Sequence, residues 1–139
     1  MFVNLQFKCA ANGELYEPMP ENMSNIFSKI PFHAASLEIV EPMFEFDGVL
    51  IERIISTGQA TPEGEWYDQK HHEWVILLTG HAGIQIEGEL ETRALRPGDY
   101  LFLPAHCRHR VEWTDERDRT IWLAVFFEPR HSETPNADG

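Results

Sequence analysis

A chain of 139 residues, 42% hydrophobic and 12% aromatic, is one domain of ordinary globular sequence, long enough to close a core. Its 23 acidic residues against 11 basic ones give a formal charge of −12, which repels phosphate backbones and excludes nucleic acid as an expected partner. No apolar run approaches the ~20 residues of a bilayer span and no basic-then-apolar leader is present, so no membrane partner is expected and the expected compartment is the cytoplasm.

Residues 1–20 read as an irregular extension. Met1 to Phe7 alternates enough for a short edge strand, one that a partner subunit could take up, but Asn12-Gly13 and Pro18-Met19-Pro20 interrupt it. A short helix is expected over 21–30, ended by Pro31, and another over Ala34 to Val40, stopped by Pro42, because proline cannot continue a helical ladder. From residue 49 the character changes. Val49-Leu50-Ile51-Glu52-Arg53-Ile54-Ile55-Ser56 is strand-like, and after a Gly/Pro loop further strands are expected at 73–78, 82–87, 90–96, 100–103, 109–113 and 120–127. Turn signals separate them, including Thr79-Gly80, Gly88-Glu89 and Pro97-Gly98-Asp99. Short strands at this spacing imply an all-β antiparallel sandwich or barrel. The run Ile121 to Phe127 is apolar on both faces, as in a central strand or one lying under another subunit. The division expected is an N-terminal extension over 1–48, a barrel over 49–128 and a polar tail over 129–139. Cys9 and Cys107 form no CxxC pair and are expected to be free thiols.

Two blocks carry the chemistry: Trp66-Tyr67-Asp68-Gln69-Lys70-His71-His72-Glu73-Trp74-Val75, and Pro97 to His109, which ends Pro104-Ala105-His106-Cys107-Arg108-His109. Glu73, six residues and Gly80 match the end of the first cupin motif, G(X)5HXH(X)3–4E(X)6G. Gly98, Pro104 and His109 match the second, G(X)5PXG(X)2H(X)3N. Over residues 49–127 the chain resembles the cupins, nearest the small single-domain bacterial members of the conserved-barrel type. The resemblance implies a double-stranded β-helix, or jelly roll, here with short N-terminal helical segments. The departures are definite. Where HXH belongs, the two permitted registers give Trp66/Asp68 or Tyr67/Gln69; His106 replaces a glycine, and Trp113 replaces the final asparagine.

The resemblance implies a divalent metal held by imidazoles and one carboxylate inside the barrel. Fe, Mn, Ni, Cu and Zn all suit such ligands. Glu73 and His109 are the carried-over ligands, with His106, Gln69 and Asp68 as further candidates. Alternation puts Glu73, Val75 and Leu77 on one face of their strand. Without a metal role, Glu73 is a rim carboxylate paired with arginine, His109 a half-buried strand histidine, His106 an exposed turn residue, and Asp68 and Gln69 are loop caps. His71 and His72 point in opposite directions on an extended chain, so one at most faces inward. Tyr67 and Trp66 read as pocket-wall or packing aromatics, with Tyr67 and His106 the candidates for moving protons. Arg108 and Arg110 should face away from His109 and bind carboxylates. The function expected is a metal-dependent oxygenase or isomerase acting on a small molecule, against a non-catalytic metal- or ligand-binding barrel serving as sensor or stabilising module. A homodimer is expected from the apolar last strand and from the need to cover sheet edges.

Overall fold

The computed structural model describes residues 24–130 and, before them, the pairing of β1 (Lys8–Cys9) with β2 (Leu15–Tyr16). The strand expected within residues 1–7 lies outside the described residues, as does the tail from 131 onward. The chain divides into two compact units, Met1–His33 and Ala34–Gly139.

In the first unit, residues 24–30 do not form the expected helix. Residues 26–29 make a turn instead, in which the Asn25 side chain accepts from the Phe27 amide at 2.8 Å and the Ser28 hydroxyl donates to the Asn25 carbonyl at 2.7 Å. Side-chain bonds of this kind give the backbone an alternative to a helical ladder.

The second unit is built from two antiparallel sheets. Five strands run in the order β3 (Ile39–Phe46), β4 (Val49–Ser56), β10 (Thr120–Phe127), β5 (His72–Thr79), β8 (Tyr100–Leu103). The other three are β7 (Arg93–Leu95), β6 (Ala82–Ile86) and β9 (His109–Thr114), again in spatial order. The helix expected over 34–40 is absent, and the sheet begins at Ile39, ten residues before the expected barrel boundary. The Ala35 carbonyl is tied to the Gln59 amide at 2.8 Å, and the chain then extends into an edge strand. Pro42 sits inside that strand, where the register with β4 shifts between Pro42 and Phe44. An edge strand with a bulge is where a sheet tolerates proline.

Strand β10 is central, as its two apolar faces require. Its inward side chains, Trp122 and Ala124, join Val75 and Leu77 of β5 and Leu103 of β8 against Ala82, Ile84 and Leu95 of the smaller sheet. Burying the larger of these side chains, at roughly 1.5–3 kcal/mol each, closes the barrel. The outward face of the larger sheet is also apolar, with Phe44, Phe46, Tyr100 and Phe102 all exposed. No helix among the described residues is long and apolar enough to cross a membrane.

Candidate metal centre

The inner faces of the two sheets enclose a cavity of about 180 Å³. Its walls are mostly apolar, including Ile54, Val75, Ile84, Leu103, Val111 and Trp122. Polar groups converge at one side: Glu73 from β5, His109 from β9, Glu52 from β4, and Tyr67 and Gln69 from the loop before β5. Alternation along β5 turns Glu73 inward with Val75 and Leu77, as expected. His109 opens β9 and is fixed by a bridge to Tyr67, each amide donating to the other's carbonyl, at 2.8 and 3.2 Å.

Glu73 and His109 are 7% and 5% exposed. His109 Nε2 lies 3.7 Å from Glu73 Oε2. The other ring nitrogen, Nδ1, is 2.8 Å from the Cys107 carbonyl. A carbonyl can only accept, so Nδ1 carries the hydrogen and, in the neutral ring, Nε2 keeps its lone pair. A carboxylate oxygen and an imidazole lone pair therefore face one another across a gap too long for a hydrogen bond. Gln69 Nε2 donates to Glu73 Oε2 at 3.1 Å, and the Tyr67 ring stacks on His109 with centroids 5.5 Å apart.

Burial raises the Glu73 pKa above its ordinary value; the nearby His109 and the Gln69 hydrogen bond oppose this, and the Glu52 charge adds to it. Burial likewise raises Glu52. Tyr67 is raised by burial and then by the Glu38 charge, against a hydrogen bond with Thr61.

Of the five ligand candidates, the fold brings Glu73, His109 and Gln69 together. Asp68 and His106 are not in the cavity. They pair with each other, Oδ1 to Nδ1 at 2.8 Å, with side chains 50% and 66% exposed. The reason is local: His106 has a left-handed φ of 63° on the turn before β9, and that geometry turns it away from His109. His72 accepts the Ala105 amide hydrogen at 3.0 Å and packs against Phe102 and Phe127. His71 lies 3.6 Å from Glu128, at a groove that forms the mouth of the cavity. Trp66 is not a cavity wall; Arg108 and Arg110 lie against its ring, and they pair with Glu87 and Glu112 as expected. Cys107 is a free thiol.

Glu52 and Glu38 line the cavity without having been singled out in the sequence. The signal for Glu52 was its parity: on β4 it shares the inward face with Ile54. Glu38 had no such signal, because it precedes β3 and accepts a hydrogen bond from Ser56.

Among the described residues no group of three or more His, Cys, Asp or Glu is placed to hold a metal ion. The pair Glu73 and His109 still fits one. Their 3.7 Å gap is less than two metal–ligand bonds of about 2.0–2.2 Å, so a single ion can touch both. The Nδ1–H bond to a backbone carbonyl is the support that orients a ligating imidazole. Gln69 meets the pair through its Nε2–H, which donates to Glu73 and steadies that carboxylate.

The cupin domain family matches residues 54–126. A structure from Ralstonia eutropha JMP134, named provisionally as a mannose-6-phosphate isomerase, is 50% identical over 78% of this chain and 99% of its own, with a TM-score of 0.75. A cupin superfamily protein from Desulfitobacterium hafniense DCB-2 is 17% identical over 79% of this chain and 94% of its own (TM-score 0.63). KdgF from Halomonas sp. is 20% identical over 67% and 82% (TM-score 0.55). These last two share the fold. Among curated proteins none matches the chain. Two facing sheets around an inward carboxylate and imidazole, matched along most of the barrel, place this chain in the cupin family.

Proposed function

We propose that this cupin holds a divalent metal between Glu73 and His109, with Gln69 steadying the carboxylate, and uses the ion to bind and transform a small molecule. The observation that carries this reading is the pair of facing acceptors, Glu73 Oε2 and His109 Nε2, 3.7 Å apart in a buried pocket. Two such acceptors facing one another call for a cation or a hydrogen-bond donor between them, or a proton on one. When bound, the metal supplies Lewis-acid or oxygen-activating chemistry, the isomerase and oxygenase alternatives. The chain's own residues do the rest. Gln69 fixes the Glu73 carboxylate through its amide hydrogens, and the Cys107 carbonyl fixes the His109 tautomer. Tyr67, at the cavity wall and stacked on His109, is the group positioned to give or take a proton.

The name of the Ralstonia relative would bring a phosphorylated sugar to this cavity. Among the described residues no Lys or Arg lines it, so that substrate is not carried over. The second copy expected of a homodimer is proposed to cover the outward sheet face, where Phe44, Phe46, Tyr100 and Phe102 are exposed. Light scattering on a sizing column should then give twice the monomer mass, and a monomer at micromolar concentration would refute the dimer.

Metal and Glu73 are tested together by a change of sign. Raised above its ordinary 4.5 in the folded chain, Glu73 binds its proton more tightly folded than unfolded. Its contribution to stability is therefore largest at low pH and falls as pH climbs from 4.5 through the raised value. In chelator at neutral pH, Glu73→Gln should be more stable than wild type by on the order of 1 kcal/mol, converging with it near pH 4. With added Zn(II) or Mn(II) the order should reverse, wild type alone gaining stability. Absence of any metal-dependent rise in wild-type melting temperature rules the metal reading out.

A further inference from the structure

The charge on the lining carries the reading of the site further. The mouth groove, about 340 Å³, shares Glu52, Gln69 and Phe126 with the inner cavity and adds Glu45, Glu128 and His71. Among the described residues, inner cavity and mouth together present five carboxylates, Glu38, Glu45, Glu52, Glu73 and Glu128, and no lysine or arginine. Lys70, between the lining residues Gln69 and His71, lines neither space. Arg53 points to the other face of β4 and pairs with Glu41 at 2.5 Å, and Arg108 and Arg110 pair with Glu87 and Glu112.

Resting on the reading of this cavity as a small-molecule site, we propose that its ligand is a small organic cation, a primary ammonium on a short apolar body. A divalent ion at Glu73 and His109 would balance only part of the charge, leaving Glu38, Glu45, Glu52 and Glu128 around the ligand. Of these, Glu52 borders both mouth and inner cavity and is half-buried, and burial raises the free energy of its ionised form. Attraction between charges in such a setting is several times stronger than in bulk water. A phosphate or carboxylate substrate would meet the same field with opposite sign and find no fork of guanidinium hydrogens to receive it. Apolar walls at Ile54, Val75, Leu103 and Trp122 suit the body of the ligand, and the inner volume of about 180 Å³, below the ~300–1,000 Å³ of drug-sized pockets, keeps it small.

Benzylammonium, benzyl alcohol, benzoate and benzyl phosphate share one apolar body and differ in charge, so calorimetric titration with all four tests the proposal. Each is run on metal-loaded and on chelator-treated protein. The expected order is benzylammonium at least tenfold tighter than benzyl alcohol, with both anions weaker still, and the gap narrowing with added salt. Glu52→Gln should cut benzylammonium affinity about fivefold and leave benzyl alcohol unchanged. Should that variant fold poorly, the salt dependence in wild type decides instead. Benzoate or benzyl phosphate binding as tightly as benzylammonium overturns the proposal, as does failure of all four to bind. Failure of the metal reading looks different: amine preference survives in protein that takes up no Zn(II) or Mn(II). Metal uptake with anion preference sinks the present inference alone.

Discussion

Alanine at position 80 is expected to lower the unfolding free energy by about 3 kcal/mol or more, a large loss for one added methyl group. Gly80 closes the tight turn between β5 and β6 with a φ of +75°, a conformation that disfavours any Cβ. An added Cβ would lie 2.5 Å from Thr120 Oγ1, 2.7 Å from Thr120 Cα and 2.9 Å from the Arg119 carbonyl oxygen. Two of those atoms are backbone at the start of the central strand, so relief requires moving β10 itself. Overpacking of this kind costs about 1–3 kcal/mol, and the left-handed backbone about 1–2 more. Gly88 and Gly98 are internal controls. Both have positive φ, and neither has an atom within 4 Å of the added carbon. Gly88→Ala and Gly98→Ala should therefore lose only about 1 kcal/mol each. Urea denaturation at constant m-value compares the three. Equal losses at 80, 88 and 98 would mean that strain alone acts and that the close approach to Thr120 carries no weight.

The same turn illustrates what could be read from the residues in advance. From 49 to 127 each strand announced itself by a β-branched or alternating run between turn residues, and the strands fall within a few residues of expectation. Strand β7 is the shortest exception, because Leu90 is fully exposed and the run before Arg93 is spent on the turn. Residues 24–48 were misread. Pro31 and Pro42 looked like helix stops, yet Pro42 sits at a register shift in an edge strand, where its missing amide costs no ladder bond. Periodicity cannot separate these cases in a segment whose partner strand follows immediately.

The site was legible to the extent that it depends on alternation. Glu73 and His109 face inward because Val75, Leu77 and Val111 on the same strands do. Where a turn intervenes, parity fails. His106 was a candidate for its nearness to His109 and Asp68 for standing where the cupin motif has a histidine, but a left-handed residue at 106 sends the imidazole outward to meet the aspartate. Glu52 was passed over because it stands in an apolar run. A lone carboxylate at an inward position of such a run is itself the anomaly, since burial without a partner is costly.

That contrast fixes the expected outcome for metal affinity. His109→Ala should weaken Zn(II) or Mn(II) binding at least 100-fold, whereas His106→Ala and Asp68→Asn should change it less than about twofold. The His109 ring is the inward nitrogen donor, its tautomer held by the Cys107 carbonyl, and among the described residues no second imidazole lines the inner cavity. Removing it also withdraws the neighbour that opposes the effect of burial on Glu73, so the carboxyl pKa should climb further and the remaining ligand become protonated more easily. The loss should accordingly deepen as pH falls, because metal and proton compete for the same oxygen. The backbone pairing of position 109 with Tyr67 does not involve the ring, so the variant should keep its circular dichroism spectrum. Equilibrium dialysis against a metal buffer at two pH values measures all three variants. Retained affinity in His109→Ala, or a matching loss in His106→Ala, would move the ion out of the barrel and onto the surface pair.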